Sequence, residues 1–149
     1  MRPIKLERCV RNEFFSNGVF VFHITGMNEY IDQQQDEFKK VLIDVEFYYR
    51  YYKKIDIDQK YVDESDIERP VILAEIAPDR LYHGYPGIQE DFYSRGYNLI
   101  DGRHRLHKAH QLGVKTIWAW ILPMEQHVRF MSSGFDEYKE YWNGKLSQV

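Results

Sequence analysis

The chain has 149 residues with a formal net charge of −3 at pH 7, and 44% of them are hydrophobic and 16% aromatic. These numbers predict one folded domain with a real core, and they argue against non-specific nucleic-acid binding, which requires a basic surface. The single Cys9 excludes an internal disulfide, and the sequence has neither an apolar run near the ~18 residues of a membrane span nor an apolar start typical of a signal peptide, so we expect a cytoplasmic protein.

The first predicted element is a β-hairpin. Asn17-Gly18 stands between two apolar runs, which is a strong short-range hairpin signal. The second run, residues 19–24, predicts a strand covered on both faces. Gly26 and Asn28 then interrupt the pattern.

Residues 29–54 are predicted to form one long helix, because their apolar residues recur at spacings of three, four and seven and Gln and Glu fill the first half. Part of this stretch also alternates between apolar and polar residues. A strand over residues 43–51 is therefore the alternative prediction to the helix.

Residues 55–69 are polar and acidic, which indicates a solvated connection. They lack the glycine and terminal glutamate of a calcium loop, so we expect no metal there. A strand is predicted at residues 71–76. The irregular residues 77–96 predict a loop, which is either an ordinary surface loop or one that covers a ligand, with His83 and Tyr85 as its candidate contacts.

The most informative stretch runs from residue 97 to residue 122. Its first apolar run predicts a strand that ends at Asp101-Gly102, and the following residues have helical spacing until Gly113. Residues 116–122 predict the next strand. A short helix at 125–131 and a final helix at 136–142 complete the predicted elements.

The turn at Gly102 is the candidate phosphate site. Glycine allows a sharp bend and a close ligand approach, and the first N–H groups of a helix attract anions. Arg103, His104 and Arg105 follow in the first turn, where positive side chains are mildly unfavourable for the helix itself. We therefore expect Gly102, Arg103, His104 and Arg105 to bind a phosphate group.

Two carboxylates are candidates for chemistry beside that phosphate. Asp101 could bind Mg²⁺, act as a base or cap the helix, and Glu75 ends the preceding predicted strand. Asp101, His104 and Glu75 are thus the candidate catalytic residues. His104, His107 and His110 lie three residues apart but drift around a helix, so we expect no metal site there.

Gly102-Arg103-His104-Arg105 resembles the motif of the ParB/sulfiredoxin superfamily, and residues 70–73 resemble the strand that precedes it in ParB-like domains. The resemblance covers about residues 70–122 and implies an α/β fold that handles nucleotides. The reactive cysteine of sulfiredoxins is replaced by Arg103, which argues against that reductase chemistry. In ParB proteins a helical DNA-binding segment follows this domain, whereas 27 residues of this chain follow Leu122.

The sequence therefore predicts a single compact α/β domain over residues 1–149, with a mixed sheet and flanking helices. An N-terminal hairpin and long helix (1–69), a ParB/sulfiredoxin-like core (70–122) and a C-terminal helical segment (123–149) would make it up. The predicted function is binding of a nucleotide or phosphorylated small molecule, with Mg²⁺ as a cofactor, in a phosphotransferase or phosphohydrolase. The alternative is a non-catalytic interaction module, such as an antitoxin or immunity protein, that contacts a protein partner through the Tyr-rich residues 47–52.

Overall fold

The structure is a computed structural model that describes residues 14–16, 21–52, 57–75 and 97–133. The predictions for the hairpin turn at residues 17–18, for the loop with His83 and Tyr85 and for the helix at 136–142 lie outside these residues. The chain divides into two compact units, one of Met1–Phe38, Ala74–Asn98 and Leu122–Val149 and one of Lys39–Leu73 and Leu99–Ile121.

The first unit contains a three-stranded antiparallel sheet. Strand β1 (Phe14–Ser16) pairs with β2 (Val21–His23), and β2 pairs in turn with β7 (Met131–Ser133). The pairing of β1 with β2 confirms the hairpin that Asn17-Gly18 predicted.

Helix α1 (Ile24–Gln33) begins directly after β2, which corrects the sequence prediction at two positions. Gly26 and Asn28 were expected to interrupt the chain, and both lie inside the helix. The Nδ1 atom of His23 accepts a hydrogen bond from the backbone N–H of Gly26 at 3.0 Å and so caps the helix. A histidine side chain supplies the acceptor that Ser, Thr, Asp or Asn more often supplies at this position.

A buried histidine lies in the core of the first unit. His127 ends helix α5 (Met124–His127), and its ring meets Phe22 edge to face at 5.1 Å. Its Nε2 lies 2.6 Å from the backbone oxygen of Glu75 and must donate, because a carbonyl only accepts. Burial lowers the pKa of His127 from 6.5 to about 4, although the bond to Glu75 opposes that shift. His127 is therefore neutral in the folded protein at pH 7.

We expect acid to destabilise the protein through His127. The unfolded chain binds a proton at this residue below about pH 6.5 and the folded protein only below about pH 4, so stability is lost as the pH falls through this window. The difference corresponds to about 2 kcal/mol at pH 5. His127→Gln keeps a donor towards Glu75 and cannot titrate. Urea unfolding should show that the free energy of unfolding falls less between pH 8 and pH 5 in His127→Gln than in the unmodified protein. An equal fall in both proteins would contradict this role of His127.

The second unit contains most of a four-stranded mixed sheet, which confirms the predicted α/β class. The strands lie in the order β3 (Lys39–Asp44), β6 (Thr116–Leu122), β4 (Val71–Glu75) and β5 (Tyr97–Asp101). Strands β4, β5 and β6 confirm the three strands predicted for the core. The single domain over residues 1–149 and its three segments stay a prediction.

The long helix predicted for residues 29–54 is wrong. Helix α1 ends at Gln33, a 3-10 turn spans Gln35–Glu37, strand β3 follows, and helix α2 (Val45–Tyr52) comes last. The alternative of a strand over 43–51 is wrong beyond Asp44. The Oδ1 atom of Asp44 accepts from the backbone N–H of Phe47 at 2.7 Å, which fixes the start of a new helix at this point.

Two helices of the second unit pack on each other. Helix α3 (Gln59–Glu64), capped by Asp58, lies within the stretch predicted as a solvated connection and corrects that prediction. Helix α4 (Arg103–Gln111) confirms the helix predicted after Gly102. The Nζ atom of Lys108 donates to the backbone oxygens of Asp63 and Ser65 at 2.9 and 2.6 Å, which ties α4 to the end of α3.

The Tyr-rich residues 47–52 belong to helix α2, and their described aromatic side chains are buried or half-buried. Phe47 and Tyr48 are buried, so Tyr48 is not available to contact a protein partner. Tyr52 accepts a hydrogen bond from the backbone N–H of Leu99 at 2.9 Å and thereby covers part of the outer edge of β5. The side chain of Tyr51 lies outside the described residues. Binding of a protein partner stays a prediction, without support from Tyr48.

Short helical turns follow strand β6. Helix α5 and the 3-10 turn Val128–Phe130 occupy the region of the short helix predicted at 125–131. None of the helices in the described ranges is long and apolar enough to span a lipid bilayer.

Candidate functional site

The candidate site is the turn between β5 and α4. Gly102 occupies the N-cap position of α4 with φ +107°, a left-handed conformation that only glycine adopts without strain. A β-carbon on Gly102 would lie 2.8 Å from Cβ of Val71 and 3.2 Å from its Cα. The glycine is thus required both by the backbone angle and by the close approach of β4.

Arg105 is the third residue of α4, in its first turn, and is only 9% exposed. Its guanidinium donates to the Asp101 carboxylate at 2.9 Å and to the backbone oxygens of Pro70 and Arg69 at 2.6 and 3.2 Å. These contacts join the end of β5, the start of α4 and the residues before β4. The geometry therefore favours a positioning role for Arg105, which differs from the phosphate contact that the sequence predicted.

Asp101 is the partner of Arg105 and not the N-cap residue, because Gly102 occupies that position. The side chains of Asp101 and Arg105 are 15% and 11% exposed, so this ion pair is largely removed from water. A carboxylate in such a pair already accepts charge-assisted hydrogen bonds. The roles of Asp101 as a base or a Mg²⁺ ligand stay predictions.

Arg103 and His104 lie at the outer side of the same turn. Arg103 is exposed, and His104 is half-buried with its ring 5.7 Å from the ring of the exposed Tyr61 on α3. The structure thus places the predicted residues Asp101 to Arg105 in one turn. The two arginines differ, because Arg103 is exposed whereas Arg105 is buried and donates to Asp101 and Pro70. Tyr61 and Val71 belong to the surroundings of the turn and were missed, because nothing in the local sequence links them to it.

Glu75, the third predicted catalytic residue, falls in the other compact unit. Its backbone oxygen accepts the hydrogen bond from His127 described above. The catalytic role predicted for Glu75 stays a prediction.

The three histidines of α4 have different surroundings. His104 faces Tyr61, whereas His107 and His110 contact Tyr49 on α2, the first edge to face at 5.3 Å and the second stacked at 3.5 Å. The Nδ1 of the buried His107 donates to the backbone oxygen of Arg103 at 2.7 Å. Within the part of the chain that the structure describes, no group of three or more His, Cys, Asp or Glu side chains is arranged to hold a metal ion.

Comparison with known proteins does not assign the chain to a class. No protein-family model, no curated protein and no solved structure matches it. The resemblance to the ParB/sulfiredoxin superfamily therefore stays a prediction from residues 70–122.

Proposed function

We propose that the protein binds a phosphate-bearing ligand, such as a nucleotide, at the N-terminus of helix α4. The observation that carries this proposal is the left-handed Gly102 at the N-cap position of a nine-residue helix, with the exposed Arg103 beside it. The first N–H groups of the helix and its dipole favour an anion at this end.

The rest of the turn supports the same proposal. Arg105 and Asp101 neutralise each other and hold the turn against the residues before β4, so its shape is fixed before a ligand arrives. A fixed turn loses little conformational entropy on binding. The positive charge of Arg103 is then left to contact the ligand. We propose binding in the cytoplasm, with Mg²⁺ accompanying a nucleotide, and assign no catalytic residue.

Replacing Arg103 with alanine is expected to weaken binding of ATP by about 1.5–3 kcal/mol, the usual size of a hydrogen bond to a charged group. Titration calorimetry with inorganic phosphate, ATP, CTP and GTP, with and without Mg²⁺, measures this. The matched control is Arg50→Ala, which removes the same charge from an exposed side chain. Arg50 is paired with Glu46, which also contacts His110 near the opposite end of α4.

The proposal requires that the control variant bind like the unmodified protein. Equal losses of ligand affinity in Arg103→Ala and Arg50→Ala would indicate that the ligand is attracted only by the net charge of the protein. Absence of binding for all four ligands at millimolar concentration would overturn the proposed function.

A further inference from the structure

In the part of the sheet that the structure describes, β3 is the terminal strand. Within the described residues it pairs with β6 on one side, in an antiparallel register that places Leu42 opposite Trp118 and Lys40 opposite Trp120. Side chains of a strand alternate between the two faces of a sheet. Ile43 is buried on one face, and Lys40, Leu42 and Asp44 are all exposed on the other.

The exposed face carries two large apolar side chains next to each other. Leu42 is 52% exposed and Trp118 is 39% exposed, and the two lie side by side across β3 and β6. Lys40 holds its ammonium 5.1 Å from the centre of the Trp118 ring and 5.5 Å from that of Trp120. An apolar pair at the edge of a sheet is typical of a contact surface.

The charges on β3 are complementary to those of a second β3. Lys40 and Asp44 stand two residues before and two residues after Leu42, on the same exposed face. When two copies of this strand pair antiparallel about a two-fold axis at Leu42, Lys40 of each copy lies opposite Asp44 of the other. Opposite charges that face each other across strands are stabilising, and like charges are not.

We propose that the protein forms a two-fold symmetric dimer in which the β3 strands of two copies pair antiparallel about Leu42. Each sheet then continues into that of the partner copy. Leu42 meets its own symmetry mate, and each Leu42 is flanked by Trp118 of its own chain, so one apolar row crosses the junction. The interface is isologous, with the same residues contributed by both copies, which is the commonest symmetry of homo-oligomers.

The same charges select the register. A shift of the pairing by two residues in one direction would place Lys40 opposite Leu42 and leave Asp44 beyond the end of the partner strand. A shift in the other direction would place Leu42 opposite Asp44 and leave Lys40 beyond that end. The pairing about Leu42 is also compatible with the other role of Asp44, which accepts from Phe47 through Oδ1, because a carboxylate accepts several hydrogen bonds.

This register can be tested with single cysteine substitutions on β3, introduced into a Cys9→Ser variant that has no other cysteine. With Leu42→Cys, the two new cysteines face each other with Cα atoms about 4.5–5.5 Å apart, within the range of a disulfide. In the Lys40→Cys variant, the two cysteines of the dimer are displaced from each other by four residues, about 13 Å along the strands. Under mild oxidation we expect a cross-linked dimer from Leu42→Cys and none from Lys40→Cys, although both positions are exposed.

Sedimentation equilibrium of the unmodified full-length protein is expected to give twice the monomer mass at micromolar concentration. Leu42→Lys, which sets two like charges on the axis, should give the monomer mass, and circular dichroism should show that the variant is folded. A monomeric unmodified protein would overturn the proposal. So would a dimer that persists in Leu42→Lys, or equal cross-linking of both cysteine variants, because the contact would then lie elsewhere.

Discussion

Replacing Arg105 with alanine is expected to lower the free energy of unfolding by about 3–5 kcal/mol, the cost of removing one partner of a buried ion pair. The substitution removes the ion pair with the Asp101 carboxylate, which is only 15% exposed. It also removes the donor from the backbone oxygens of Arg69 and Pro70. Urea unfolding monitored by circular dichroism measures the loss.

Arg103→Ala is the matched control, because Arg103 is exposed in the same turn and its loss should change stability by less than about 0.5 kcal/mol. Adding Asp101→Asn to Arg105→Ala should recover part of the stability, since the largely buried negative charge is then removed as well. A double-mutant cycle over these two positions isolates the coupling. Equal stability of the Arg103 and Arg105 variants would show that Arg105 does not hold the turn.

The two arginines also show how far the sequence predicts the site. The strand, the glycine turn and the helix at residues 97–111 could be predicted, because each has a local signal: an apolar run, an Asp-Gly pair and helical spacing up to Gly113. It could not be predicted that Arg105 is buried while Arg103 is exposed. This difference depends on the backbone oxygens of Arg69 and Pro70, which lie more than thirty residues earlier.

Residues 29–54 show a limit of a different kind. Their apolar spacing fits a helix and part of it fits a strand, so periodicity alone could not decide. Two local signals favoured the observed division. The β-branched Val41 and Ile43 prefer a strand, and Asp44 is a good N-cap residue for the helix that follows.

The buried residues Tyr48 and His127 could not be assigned from the sequence for the same physical reason. Tyrosine and histidine are found both at surfaces and in cores, and only tertiary packing decides between these environments. Tyr48 packs edge to face with Phe47 at 5.2 Å, and His127 does the same with Phe22. Phe22 lies far from His127 in the sequence, so the local sequence carries no record of that contact, and the neighbouring Phe47 does not by itself indicate that Tyr48 is buried.

Replacing Gly102 with alanine is expected to lower the free energy of unfolding by about 2–4 kcal/mol, as the sum of two costs. A non-glycine residue at φ +107° is strained by about 1–3 kcal/mol. The new methyl group also overlaps the side chain of Val71, which lies on the buried strand β4 and cannot move without shifting it. Thermal and urea unfolding measure the change.

Gly113→Ala separates these two costs. Gly113 also has a left-handed backbone, with φ +70°, but a β-carbon there meets no heavy atom within 4 Å. Its replacement should therefore cost only about 1–2 kcal/mol of left-handed strain. Val71→Ala combined with Gly102→Ala should relieve the overlap and cost less than the two single changes added together. Equal losses in Gly102→Ala and Gly113→Ala, with simple additivity in the double variant, would show that the turn is not packed against β4.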